Sequence, residues 1–178
     1  MTLLLMVGAS ASGKTEIAKL LIKDYGFKKM VTTTTRIKRH DEIDGVDYHF
    51  LDEETFLEKQ KAKSFLEVTL YNNNYYGTAL KDIGKDKVLI VDPQGANVFY
   101  QKLKDEVTIF FIKTSKELRK ERMILRGDAV SQIDERLALD DHYFNEAHLL
   151  HIDYIIHNDD HDLNTLTEKI ASLYKKHR

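Results

Sequence analysis

Eight residues near the N-terminus constrain this chain more than any others. Gly8-Ala9-Ser10-Ala11-Ser12-Gly13-Lys14-Thr15 fits the pattern G-x-x-x-x-G-K-[S/T]. It stands between a short apolar run, Leu3–Val7, and a stretch whose apolar residues Ile17, Ala18, Leu20, Leu21 and Tyr25 recur at helical spacing, with Gly26 as the stop. Small side chains let successive backbone N–H groups converge on an anion, and the helix that begins there points its positive end the same way. Strand, loop and helix together predict a phosphate cradle built from Gly8, Ala9, Ser10, Ala11, Ser12 and Gly13. From such a loop Lys14 reaches the outer phosphates of a nucleotide, and the Thr15 hydroxyl is available to ligate Mg2+.

Further apolar runs at 88–91, 107–112 and 154–156 read as strands, and helical periodicity runs through 96–103, 117–125, 133–148 and 163–175. Strands alternating with helices predict an α/β fold, a parallel sheet flanked by helices. The stretch 32–83 reads differently, being rich in Thr and Tyr and poor in aliphatic residues. Asp52 is a candidate N-cap for a helix over 52–63, and 66–71 and 75–78 read as strands of a hairpin that turns at Asn72-Asn73-Asn74. We read 32–83 as a small mixed insertion in a single domain, and 126–132 as a polar loop.

A net charge of −2 sets up no general basic field for nucleic acid or an anionic membrane, so anion binding must come from individually placed Lys and Arg. The absence of Cys excludes disulfides, thiolate metal sites and a cysteine nucleophile. The apolar start is too short and lacks the basic residues of a secretory signal, and no stretch approaches the ~20 apolar residues of a membrane span, so a cytoplasmic protein is expected. His142, His148, His151, His157 and His161 fall close together but repeat no ligand spacing, and we read them as solvated polar positions. The sequence sets no oligomeric state.

The acceptor is suggested by later motifs. Thr32-Thr33-Thr34-Thr35-Arg36-Ile37-Lys38-Arg39, followed by Asp41-Glu42-Ile43-Asp44-Gly45-Val46-Asp47-Tyr48-His49-Phe50, resembles the guanylate kinase signature T-T-R-x-x-R-x-x-E-x-x-G-x-x-Y-x-F. Phe65-Leu66-Glu67, Asn74-Tyr75-Tyr76-Gly77-Thr78, Asp92-Pro93-Gln94-Gly95, Arg126-Gly127, Arg136-Leu137 and Asn158-Asp159 resemble further motifs of that family, in order along the chain. The resemblance implies a P-loop kinase with a core at 1–31, 84–126 and 137–178, a GMP-binding insertion at 32–83 and a lid at 127–136. It implies phosphoryl transfer from Mg-ATP to GMP, and to dGMP. Arg36 and Arg39 would present guanidinium forks to the GMP phosphate, with hydroxyls from Tyr48 and Tyr76. Glu67 would accept the paired N–H donors of guanine, with Thr32, Thr78 and Asp92 on the rest of the base. Lys14, Arg36, Arg126 and Arg136 would neutralise the transferring phosphoryl group, and Asn158 would lie on the adenine side of ATP.

Two positions depart from the family pattern. Ala11 stands where the family commonly has Gly, which asks for a φ that Ala tolerates. Ile90 stands where the first acid of D-x-D-x-Q-G is usual, so the metal would rest on Thr15, nucleotide oxygens and water. Two other functions stay open on these residues: a P-loop kinase of another small phosphate acceptor, and a catalytically weak nucleotide-binding protein of the same fold.

Overall fold

Five consecutive apolar residues with no polar alternation form β1 (Leu3–Val7), and all five are buried, as a strand covered on both faces must be. The computed structural model describes residues 3–40, 42–71, 73–159 and 162–176. Asp41, Asn72 and His161 of the sequence reading lie outside them. β1 is central in a parallel sheet ordered β2 (Lys28–Lys29), β7 (Lys87–Ile90), β1, β8 (Val107–Lys113), β9 (Tyr154–His157). Alternate residues serve opposite faces. Leu4, Met6, Val88, Phe110 and Ile112 pack on α1 (Lys14–Asp24) and α6 (Leu163–Lys176), through Ile17, Leu21, Ile170 and Tyr174. Leu3, Leu5, Val7, Leu89, Ile109 and Phe111 pack on α3 (Pro93–Leu103), through Ala96 and Phe99. The architecture is the expected α/β one.

The stretch 32–83 carries a second sheet, ordered β4 (Tyr48–Phe50), β3 (Thr32–Thr34), β6 (Asn74–Ala79), β5 (Phe65–Tyr71). Its core is aromatic. Phe56 of α2 (Glu53–Lys61) stacks on Phe65 and Tyr75, and a Cβ added at Gly77 would come within 3.0 Å of the Phe56 ring. Asp52 caps α2 as expected, accepting from Thr55 N at 2.7 Å. The β5–β6 pairing shifts register between Phe65 and Glu67, a bulge that sets Glu67 directly opposite Thr78.

The region between 116 and 148 differs from the sequence reading. The polar loop expected over 126–132 is only a short link: α4 (Lys116–Arg126) ends at Gly127, whose φ of 87° makes a left-handed cap, and α5 (Val130–Tyr143) starts three residues later. Asp128 holds this link by accepting from Arg126 Nε and Nη2 at 2.9 and 2.5 Å. The helix expected to reach residue 148 stops at Tyr143, because Asn145 caps a separate 3-10 turn over Glu146–His148. Among the described residues no helix is long and apolar enough to cross a membrane.

Candidate active site

The phosphate loop is shaped by two glycines and braced from below. A Cβ at Gly8 would come within 2.4 Å of the Ile112 carbonyl, and one at Gly13 within 2.3 Å of Asn158 Nδ2; Gly13 also has φ +94°. Only glycine lets the backbone lie this close to β8 and the β9 exit. Asn158 Nδ2 donates to Ser12 O at 2.8 Å, Thr114 Oγ1 to the same carbonyl at 3.2 Å, and Arg122 Nη1 to Ala11 O at 3.3 Å. Ala11 adopts φ 58°, so this alanine sits in the left-handed region rather than in the tolerable range expected of it.

Asn158 is buried and turned to the loop, so its side chain is a strut under the cradle rather than a group open to an adenine ring. Lys14 Nζ donates to Ala9 O at 2.7 Å and to Ser12 Oγ at 3.0 Å, folding back on its own loop. Burial lowers its pKa to about 8, against the raising influence of nearby Asp140. Ser10 N donates to Asp140 Oδ2 at 2.7 Å, and Arg136 Nε to Ser10 Oγ at 3.3 Å. Thr15 is exposed at the start of α1.

A cavity of about 730 Å³ opens beside the loop, walled by both sheets and by α5. It brings together Ser10, Thr32, Tyr48, Glu67, Tyr76, Thr78, Asp92 and Arg136 from seven separate segments. Thr78 Oγ1 donates to Glu67 Oε1 at 2.7 Å. Burial raises the Glu67 pKa, and the neighbouring Asp92 charge adds to the rise while the Thr78 hydrogen bond opposes it. Asp92 caps α3, its Oδ1 accepting from Gly95 N at 2.6 Å, while Oδ2 accepts from Tyr143 of α5 at 3.2 Å. Ile90 and Leu139 add apolar wall to the same cavity.

Not every expected residue lines it. Arg36 Nη2 donates to Glu42 Oε1 at 2.6 Å, and its guanidinium lies over the Tyr48 ring, 5.6 Å from the centroid. Arg39 is exposed, its backbone N donating to the other Glu42 oxygen at 2.8 Å. Arg126 is engaged by Asp128, which Arg136 also approaches at 3.7 Å. Glu42, Asp128 and Asp140 were missed as site residues. Glu42 was legible, since it fills the acidic position of the motif that carries Arg36 and Arg39. Asp128 and Asp140 are ordinary acids in an acidic stretch, and only the fold reveals what they face.

Comparison with known proteins identifies the family and the fold. A family model described as guanylate kinase matches residues 1–177. The chain is similar to the guanylate kinase of Symbiobacterium thermophilum, at 35% identity over 89% of this chain and 78% of that protein. It is similar to that of Alkalilimnicola ehrlichii at 32% identity, covering 99% and 90%. It also resembles the crystal structure of guanylate kinase from Anaplasma phagocytophilum, with a TM-score of 0.73 at 24% identity, covering 99% of this chain and 85% of that one.

Proposed function

The chain belongs to the guanylate kinase family, and from that premise we propose that it moves the γ-phosphoryl group of Mg-ATP onto GMP, releasing ADP and GDP. One observation carries the base assignment. A half-buried carboxylate, Glu67, is held by the buried Thr78 hydroxyl in a cavity that also contains Ser10 of the phosphate loop. Guanine offers two adjacent N–H donors to such a carboxylate. Adenine offers an acceptor there, which would leave Glu67 unsatisfied, and a polar mismatch of this kind discriminates strongly. Thr32, Thr78 and Asp92 complete the base contacts. None of these contacts uses the ribose 2′-position, so dGMP fits the same reading.

Tyr48 and Tyr76 would take the GMP phosphate, joined by Arg36 and Arg39 as the 32–83 insertion closes. Arg36 is already poised over Tyr48, and Glu42 holds it there before substrate arrives. Lys14 and Arg136 would face the transferring group, with Arg126 joining them from the end of α4, just before the 127–136 lid. The loop residues Gly8 to Thr15 would hold the ATP phosphates, and Asn158 would act on them through Ser12. Magnesium fits this donor set through the exposed Thr15 hydroxyl, phosphate oxygens and water, because Mg2+ keeps several waters and needs few protein ligands; bound there, it neutralises phosphate charge. The protein's own work is positioning, charge neutralisation and exclusion of water. GMP and ATP are cytoplasmic nucleotides of purine metabolism, and we place the reaction there. A coupled ADP-release assay with GMP, dGMP, AMP, CMP and UMP tests the proposal. Turnover should be confined to the two guanine nucleotides, and faster turnover of AMP or a pyrimidine nucleotide would overturn the base assignment.

A further inference from the structure

The phosphate loop already holds an anion. Ser10 N, an amide of the loop, donates to Asp140 Oδ2 at 2.7 Å. Asp140 comes from α5, which is 130 residues away in sequence, and it lines both the 730 Å³ cavity and a smaller one of about 310 Å³ behind the loop. One helical turn before it, Arg136 donates to the Ser10 hydroxyl at 3.3 Å. The same face of α5 thus holds Ser10 by its amide and by its side chain. Two cations stand near the carboxylate: Lys14, whose charge it favours, and Arg119, which is buried against Asp141 on the wall of the smaller cavity.

Backbone amides of such a loop are suited to phosphate oxygens, and a carboxylate competes for them with the same charge sign and acceptor chemistry. A phosphate brought to Ser10 must either displace Asp140 or stand against its negative charge. We propose that Asp140 is a built-in competitor for the phosphate loop, an affinity-setting residue that a nucleotide's phosphates must displace on binding. The C-terminal turn of α5 would then leave the loop as phosphate enters, so nucleotide binding and the position of α5 are linked through one side chain. This rests on the reading of the loop as the ATP site.

The test is calorimetric titration of the wild type, Asp140→Asn and Asp140→Ala with Mg-ADP and, separately, with adenosine, each form first checked by a melting curve. Removing the competing charge should tighten Mg-ADP about tenfold or more, the scale of one hydrogen bond to a charged group, in both variants. Adenosine carries no phosphate, so its affinity should not move. Unchanged or weaker Mg-ADP binding in the folded variants would overturn the proposal, as would an equal gain for adenosine. If no form binds Mg-ADP at all, the ATP-site reading itself fails and takes the competitor with it. A wild type that binds while the variants show no gain fails the competitor alone.

Discussion

At Lys14 two requirements conflict. The ammonium must be aimed at phosphate, yet the loop that aims it also removes it from water, and burial lowers its pKa to about 8. In the free protein, charge on Lys14 is therefore lost as pH rises through about 8, well before an ordinary lysine titrates. Bound phosphates favour the charged form. The rate constant kcat/KM for ATP should fall above pH 8, whereas kcat should hold to higher pH; coincident profiles would show that Lys14 is not the titrating group. Glu67 poses the opposite case. Its folded pKa is raised by burial above the ordinary 4.5, so the folded protein holds this proton more tightly than the unfolded chain does. The stabilising effect of that proton is complete below the unfolded value and is lost as pH rises through the folded one. Glu67→Gln should therefore melt higher than wild type at neutral pH, with the gap closing as pH falls toward 4.5, while GMP binding weakens by about 1.5–3 kcal/mol. A variant that melts lower at neutral pH and keeps its GMP affinity would remove Glu67 from both roles.

Among the elements, those that repeat a strong pattern were legible and those held by single contacts were not. β1 and β8 are unbroken apolar runs, and α1 follows a glycine loop, so sequence alone locates all three. The α4–α5 link is fixed instead by Asp128 gripping two arginines, and the end of α5 by an Asn145 cap, which are contacts that no periodicity announces. Glu67 was legible as a residue, but the bulge that sets it opposite Thr78 was not. β7 shows both sides of this. Its apolar character predicts a buried strand, yet its last residue, Ile90, keeps 37% of its surface at the cavity wall while Val88 and Leu89 are buried. Ile90 is thus at the carboxyl edge of the sheet, where α/β proteins meet their ligands, and it is not packed core. Ile90→Asp should fold, and it should lower the Mg2+ concentration that gives half-maximal rate. An unchanged Mg2+ midpoint in a stably folded variant would show that a carboxylate at this position does not reach the metal or its waters.

Across the whole molecule, the two sheets meet on one cavity but are built independently, one on aliphatic side chains and one on stacked aromatics. β5 joins them. Leu66 is buried in the core face that α3 covers, its carbonyl accepts from Lys102 Nζ of α3, and the next residue is Glu67. Glu67 is therefore anchored to the parallel sheet, while Arg36 and Arg39 lie in the connection from β3 to β4, farther from that anchor. A ligand that engages Glu67, Thr78 and Asp92 together ties the insertion to the core, and any ligand that binds only the folded form stabilises it by RT ln(1 + [L]/Kd). With GMP at 100 times its Kd, the gain is about 2.7 kcal/mol, which for a chain of this size raises Tm by roughly 5–10 °C. AMP carries the same phosphate but, on the proposed reading, presents the wrong edge to Glu67, so at equal concentration it should raise Tm far less. The comparison isolates base recognition from phosphate binding, because the phosphate is common to both ligands. Equal shifts from GMP and AMP would mean that the phosphate contacts alone hold the two sheets together and that Glu67 does not read the base.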